Sequence, residues 1–452
     1  MKKVNLLLAA VVAASVVAPA AQAYTPNVQM SGYLRSGVSN AGSGKQAKYN
    51  VNKIGRLGNE NDTYAELAFG ADVAKVDDTL WSVNTRFAFG SDGNNGDWQT
   101  NIALRELNVS VKGLLDFDKD ATIWVGKRFN RRADIHINDA YYWANNSQGA
   151  GIDNLSLGSG KFSFSWGKVD SSTAYTDNVY EEKSAKLDDN IFDVEYTFPI
   201  WSGASLTLRD QYTVIERDNK MAPKSYLALK DEVRNSNTFG IGLSQGFSGG
   251  SFNQTWLQIL HGARADATGM SDGYDKVYKA GYNSANGYAL FNHGLTKFTD
   301  SFGMYHVIYG DIITNFDIYK SGGLDVVRDF GLIVRPYVAL TKMTRFYIEA
   351  GMYTKSEQYI DQLDNKNIQM QKLTAAYAIT PDASNFWSRP EIRLYATYDH
   401  SNENGQNLAA YSKSQDNTIA NYDEDGKFVG FKTGDYYKNH NFIFGVQAEA
   451  WW

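Results

Sequence analysis

Stretches in which apolar and polar side chains alternate recur from one end of residues 24–452 to the other, the repeat expected of β-strands with two unlike faces. Phe162, Phe164 and Trp166 alternate with Ser163, Ser165 and Gly167, directly after the turn signal Gly158-Ser159-Gly160. Phe192, Val194, Tyr196 and Phe198 alternate with Asp193, Glu195 and Thr197, and Phe346, Ile348, Ala350 and Met352 with Tyr347, Glu349 and Gly351. The final segment sets Phe442, Phe444, Val446, Ala448, Ala450 and Trp452 on one face and Gln447, Glu449 and Trp451 on the other. Asp92-Gly93, Asp272-Gly273, Asn286-Gly287, Asn404-Gly405 and Asp425-Gly426 read as turns between strands. Helical spacing is not sustained anywhere after residue 23, so the pattern predicts an all-β chain.

Residues 1–23 are different. Lys2 and Lys3, the apolar run Leu6 to Val17 and the sequence Ala21-Gln22-Ala23 have the form of a cleaved secretory signal, leaving a single domain over 24–452. Loss of the two lysines takes the formal charge from −6 to −8, which leaves no basic footprint for nucleic acid. No later run of 18 apolar residues could form a membrane helix; the most apolar stretch, Val326 to Leu340, is interrupted by Arg328, Asp329, Arg335 and Pro336. An exported chain of this kind can still cross a membrane as a closed barrel, because each strand shows lipid only every second residue.

A soluble sandwich shares the alternation, but three features favour a transmembrane antiparallel β-barrel. No linker divides the chain. The last residue is an aromatic on the apolar face, where outer-membrane barrels carry an interfacial girdle. Unequal polar segments, Asn40 to Asn52, Asp170 to Asn190 and Glu403 to Lys438, suit long external loops alternating with short turns. At roughly 24 residues per strand and connection, the chain has room for about 18 strands. Composition fits this reading: aromatic residues make up 14% of the chain while mean hydropathy is −0.42, so the rings are not all on an oily surface.

Rings on the polar half of a strand point into the barrel. Tyr33 shares a face with Arg35, Tyr64 with Glu66, and Trp451 with Gln447 and Glu449. Singly, such rings serve as filler between charged neighbours; several together need a further reason. Residues 127–143 lack alternation and read as a loop, with Lys127, Arg128, Arg131, Arg132, Asp134 and Asp139 followed by Tyr141, Tyr142 and Trp143. Folded inward, such a loop would constrict the channel with paired charges.

Along the chain stand Gly32-Tyr33-Leu34-Arg35-Ser36-Gly37, Arg56-Leu57-Gly58-Asn59-Glu60, Thr63-Tyr64-Ala65-Glu66-Leu67, Ile123-Trp124-Val125-Gly126-Lys127-Arg128-Phe129, Tyr141-Tyr142-Trp143, Gly149-Ala150-Gly151, Trp387-Ser388-Arg389-Pro390, Ile392-Arg393, Ala396-Thr397-Tyr398 and Trp451-Trp452. In these pieces the chain resembles the maltoporin family of outer-membrane sugar channels along the whole of 24–452, least in about 170–330. This resemblance implies an eighteen-stranded barrel in a homotrimer embedded in outer-membrane lipid and lipopolysaccharide, passing maltose and maltodextrins passively, and ions with them. It also implies an aromatic slide of Tyr33, Tyr64, Phe252, Trp387 and Trp451, with Trp98 reaching in from a neighbouring subunit. The matching polar track is Arg35, Arg56, Glu66, Arg105, Arg132, Asp134 and Asp139, with Tyr141 as the steric pinch. Phe252 is placed by the modest match of Phe252-Asn253-Gln254 and Gln258. Arg105 sits badly with simple alternation, since Leu107 and Val109 share its parity.

A glucose ring has an apolar face and a hydroxyl rim, so rings and charged groups side by side suit it chemically. Two departures stand out. The chain has no Cys, so a loop disulfide found in some relatives is excluded, and Ala144 follows the Tyr-Tyr-Trp motif where maltoporins commonly carry an acid. A sucrose-selective branch of the family carries a long N-terminal coiled coil and lacks the Arg and Tyr of the constriction; with Arg132, Tyr141 and a strand expected soon after Tyr24, the resemblance implies maltodextrin over sucrose. The alternatives are a channel for other oligosaccharides or glycosides, or a general porin.

An enzyme is not expected. The absent Cys removes thiolate metal sites and cysteine nucleophiles. His136, His261, His293, His306, His400 and His440 stand in no metal-ligand spacing, and no cofactor is implied. His293, in Asn-His-Gly, reads as a turn residue; Asp423-Glu424-Asp425-Gly426 reads as an acidic loop without a calcium ligand ladder. Long external loops also permit a surface-receptor role, phage included.

Overall fold

The computed structural model describes residues 25–41, 50–91, 102–176, 182–216, 235–266, 277–278, 282–317, 321, 323–361, 365–402, 418–422, 428–433 and 440–452. Eighteen antiparallel strands close into a barrel. They are β1 (Asn27–Ala41), β2 (Thr63–Val76), β3 (Thr79–Ser91), β4 (Ala103–Lys112), β5 (Thr122–Phe129), β6 (Asn146–Leu157), β7 (Gly160–Thr176), β8 (Glu182–Trp201) and β9 (Ala204–Glu216). The second half comprises β10 (Ser236–Gly246), β11 (Phe252–His261), β12 (Asn286–Lys297), β13 (Phe302–Thr314), β14 (Leu324–Ala339), β15 (Thr344–Tyr359), β16 (Lys366–Ile379), β17 (Glu391–Ser401) and β18 (His440–Trp451). Each strand pairs with its sequence neighbour, and β18 returns to β1 with Tyr33 opposite Trp451 and Arg35 opposite Glu449. Closure leaves no sheet edge, which a chain in hydrocarbon requires.

The alternation expected from the sequence sets the two faces. Val28, Met30, Val125, Leu257, Phe444 and Trp452 stand on the outer surface, Trp452 half exposed at the end of its apolar row. The inner face is charged and closely packed: Arg335, Arg345, Glu349, Lys372, Glu391 and Arg393 are all 3% exposed or less. Such groups are tolerated because each is paired. Arg335 and Lys372 both bond to Glu349, at 2.5 and 2.6 Å.

Two connections turn into the barrel instead of outward. The first, residues 50–62, holds a single helical turn, α1 (Val51–Ile54). It is gripped by the far wall: the Lys372 ammonium donates to the carbonyls of Gly55 and Leu57, both at 2.8 Å, and to Asn59 Oδ1 at 3.1 Å. A Cβ on Gly351 would collide with the Ile54 backbone, so a glycine at that wall position is what lets the turn approach. The second connection, residues 130–145, covers most of the segment 127–143 read from sequence as a loop; Lys127, Arg128 and Phe129 instead end β5, where they pair with Gln148, Ser147 and Asn146. Within it Ala133–Ile135 and Ala140–Trp143 pair as a small hairpin, so it is more ordered than a plain loop. The two connections are joined by backbone and side chain, Arg56 N–H to Ile137 O at 2.9 Å and Asn138 Nδ2 to Asn52 O at 2.9 Å.

Some turn and loop expectations are corrected. Asn286-Gly287 opens β12 and is not a turn. His293 lies in the middle of β12, buried on the inner face with Nδ1 2.9 Å from the Tyr305 hydroxyl; strand pairing on both sides overrides the local turn chemistry of Asn-His-Gly. Asp170 to Asn190 is largely the extended ends of β7 and β8, because the two strands continue pairing as far as Thr176 and Glu182. The long segment before β18 carries a short hairpin, Thr418–Tyr422 with Phe428–Thr433. The other turn dipeptides and Asp423 to Gly426 lie outside the described residues.

Candidate functional site

A run of partly exposed rings crosses the inner wall. Tyr64 on β2 and Tyr33 on β1 have ring centroids 6.2 Å apart. Tyr33 faces Trp451 across the β1–β18 seam. Trp451 is 6.5 Å from Trp387, and Trp387 is 6.5 Å from Phe252 with the planes only 27° apart. Five of the rings expected from sequence are therefore consecutive neighbours. Trp98 lies outside the described residues.

The rings reach this line in different ways. Tyr33, Tyr64 and Trp451 are inward positions of strands, which is why parity revealed them. Phe252 is the first residue of β11, directly after a tight connection. Trp387 lies on no strand: it is carried by the 380–390 turn between β16 and β17, which folds back against the wall. Phe386 beside it is buried against Tyr305, Tyr337 and Tyr347 and backs the indole edge-on at 5.1 Å.

Charged groups flank the rings. Arg35 forms a two-pronged bond with Asp62, at 2.5 and 2.7 Å, and its guanidinium lies 4.8 Å from the Tyr64 ring centroid. Arg56 donates to the Tyr33 hydroxyl at 2.5 Å and to Glu60 at 2.6 Å, while the Tyr33 hydroxyl donates to Glu449 at 3.0 Å. Glu66 accepts from the Tyr64 hydroxyl at 2.5 Å and from Arg86 at 2.9 Å. Such charge-assisted bonds fix the ring edges, so the faces stay presented to the lumen.

Arg105 also faces inward, despite Leu107 and Val109 standing on the outer surface. The β3–β4 register slips between Arg86, opposite Glu106, and Phe87, opposite Leu104, so Arg105 is the extra residue of a bulge. A bulge re-aims one side chain without disturbing the rest of its strand. The Arg105 guanidinium lies 5.1 Å from the centroid of Phe129, whose ring also meets Arg132 at 4.1 Å and Arg86 at 5.8 Å. A polar cavity of about 540 Å³ is lined by Arg86 and Phe129 together with Glu106, Asn108, Arg128 and Asp153.

On the hairpin of the inward loop, Asp134 stands opposite Tyr141, and the Tyr141 hydroxyl donates to Asp139 at 3.0 Å. Arg132 is held between the Phe129 ring and the Tyr141 ring, 4.5 Å from the latter. Tyr142 and Trp143 turn the other way, into the wall. Tyr142 stacks on Phe291, Trp143 meets Trp256, and a Cβ on Gly240 would overlap the Trp143 ring. The loop is thus bolted by two rings and presents the third to the opening. Ala144 follows these two, partly exposed.

Parity and motif assigned no role to His136, Arg389, Asp62, Arg86, Glu106 and Phe129, although Arg389 and Phe129 stand within motifs of the resemblance. His136 comes from the inward loop and touches both tryptophans, 5.5 Å from Trp387 and 5.3 Å from Trp451, edge-on to the latter. Arg389 lies 4.2 Å from the Trp451 ring and bonds Glu449. His136, Arg389 and Asp62 lie in loops or turns, where no alternation exists to mark them, whereas Arg86, Glu106 and Phe129 are strand residues that only the fold brings beside the site.

A protein-family model described as LamB porin matches residues 28–452. Maltoporin 1 of Klebsiella pneumoniae subsp. pneumoniae is 31% identical to this chain over 98% of both proteins. Maltoporin of Photobacterium profundum is 30% identical over 95% of this chain and 94% of its own. Among solved structures, OccAB2 of Acinetobacter baumannii aligns with a TM-score of 0.48 and 8% identity over 94% of this chain and 98% of that one. The matched family is one of channels of the Gram-negative outer membrane. With its closed eighteen-stranded barrel and a match over nearly its whole length, the chain belongs to the LamB porin family.

Proposed function

We propose that this protein is a passive channel selective for maltose and maltodextrins, working as a homotrimer with one pore per subunit once the segment before Tyr24 has been removed. The single observation that carries the sugar reading is the unbroken line Tyr64, Tyr33, Trp451, Trp387 and Phe252, with paired arginines and carboxylates along its edge. Each glucose ring would lay its C–H face on an indole or phenol and exchange hydroxyl hydrogen bonds with Arg35, Arg56, Glu66, Arg105, Arg132, Asp134 and Asp139. A glucan slides because each contact it gives up is replaced by a like one a few ångströms on. Transport of this kind needs binding that is repeated and weak. Tyr141 sets the width, and Trp98 of a neighbouring subunit would complete the outer end of the slide. The names of the curated relatives agree with this substrate class.

Reconstituted protein in a planar bilayer tests the reading. Ions should carry a steady current, and maltohexaose should reduce it with saturation. A current indifferent to maltohexaose would replace this reading with a general porin.

A further inference from the structure

Among the described rings of the slide, Trp387 alone has no strand to hold it, yet the 380–390 turn that carries it is clamped by buried charge. Arg345, fully buried, donates to the carbonyl of Asn385 at 2.5 Å and to that of Ser388 at 3.3 Å. Arg389 donates to the carbonyls of Phe386 at 3.2 Å and Ser388 at 2.9 Å. Two guanidinium groups thus grip the backbone on both sides of Trp387. Behind them stands Glu391, 0% exposed, which accepts from Arg345 Nε and from the Tyr347 hydroxyl, both at 2.8 Å. It also accepts from Arg393 and pairs with Arg389 at 3.9 Å. Its carboxylate is shared by all three arginines; of these three, Glu449 on the other side pairs with Arg389 and Arg393, and it is shared in turn with Arg56.

We infer that Glu391 is a positioning residue for sugar binding: its charge holds Arg345 and Arg389 on the carbonyls of the 385–388 turn, and that grip keeps the Trp387 face in line between Trp451 and Phe252. Glu391 itself touches no part of the open lumen. Without its charge, Arg345, Arg389 and Arg393 would repel one another in a site with little water. Arg345 has no other carboxylate at hand among the described residues, so it would be the first to leave. The turn would then lose the bonds from Arg345 that keep it folded against the wall. The inference rests on the slide reading, but it makes a claim of its own about what fixes the indole.

Glu391→Gln keeps the volume and removes the charge. The test is a double-mutant cycle of Glu391→Gln with Trp387→Ala, read as the maltohexaose concentration that half-blocks the current. Each single change should raise that concentration, Glu391→Gln by roughly threefold or more, and the double variant should match Trp387→Ala alone, because the two act through one ring. Multiplying effects, or Glu391→Gln equal to wild type, would overturn the inference while leaving the slide reading intact. A second readout needs no sugar. In fluorine spectra of protein labelled with fluorotryptophan, Glu391→Gln should shift the Trp387 resonance, identified by its loss in Trp387→Ala, and leave that of Trp452 in place. An unmoved Trp387 resonance overturns the inference whatever the sugar does. If Glu391→Gln yields no heat-modifiable folded band, Arg345→Lys takes its place: the charge stays, but a single ammonium cannot span both carbonyls, and the same cycle is expected.

Discussion

Arg132 on the inward loop lies between two aromatic faces, Phe129 at 4.1 Å and Tyr141 at 4.5 Å, and the Tyr141 hydroxyl is tied to Asp139. A guanidinium sandwiched in this way is ordered without losing its donors, because stacking uses its faces and hydrogen bonding its edge. Removing the Tyr141 ring removes bulk on the lumen side and leaves Arg132 its second face. Tyr141→Ala should therefore raise single-channel conductance, and Tyr141→Phe, which loses only the hydroxyl, should change it much less; equal conductance in Tyr141→Ala and wild type would mean that another residue sets the width. His136 gives a second test at this scale. Its enclosed position holds the imidazole well below its ordinary value near 6.5; Glu449 pulls the other way, and Arg56 and Arg389 add to the effect of enclosure. The folded protein thus keeps His136 neutral where the unfolded chain would take up a proton. Its contribution to stability is whole above the ordinary value and shrinks as pH falls below it. Maltohexaose block should accordingly be the same at about pH 7.5 and about pH 6. A loss of block with a midpoint near the ordinary histidine value would show that this ring titrates in the open pore.

The two inward connections are elements that alternation could not reveal. Strands were legible because each must separate a lipid face from a lumen face, and the repeat records that separation. Tyr33, Tyr64 and Trp451 were legible for the same reason. A segment folded into the lumen keeps the mixed composition of an external loop, and what holds 50–62 inside is supplied by Glu349 and Lys372, some three hundred residues away. Family motifs drew attention to Arg56 without saying that its whole segment is internal. Arg105 illustrates the converse: the resemblance implied it, alternation argued against it, and the bulge reconciles them. The anchor predicts a measurable weakness. Glu349 accepts from Arg335, Lys372 and the backbone N–H of Leu57, so Glu349→Gln leaves two buried cations without their carboxylate. Breaking such a pair typically costs about 3–5 kcal/mol. The expected result is a lower thermal midpoint in detergent, followed by circular dichroism, together with a noisier open-channel current as 50–62 loosens. A quiet channel of wild-type heat resistance would mean that the contacts of Ile54 and Leu57 suffice.

Across the whole molecule, the low mean hydropathy and the abundance of rings follow from aromatics divided between two surfaces. Phe346, Phe442, Phe444 and Trp452 stand on the outer wall, while Tyr33, Trp451, Trp387 and Phe252 stand on the inner one. The seam at the end of the chain shows the division in adjacent residues. Trp451 faces Tyr33 across the strand pair, and Trp452 packs over Gly32, where a Cβ would overlap its indole. The two surfaces should answer to different measurements. Trp387→Ala removes an inner platform of the proposed slide and should weaken maltohexaose block by roughly threefold to tenfold, the size of one stacked-ring contact. Trp452→Ala removes an outer ring and the backing of Gly32, so it should lower the yield or heat resistance of folded barrel and leave block near the wild-type value. Because one readout is sugar affinity and the other is assembly, a general loss of folding cannot imitate both outcomes. Equal weakening of block by the two changes would show that the inner and outer rings are not functionally separate, and the slide would then have to be drawn through other residues.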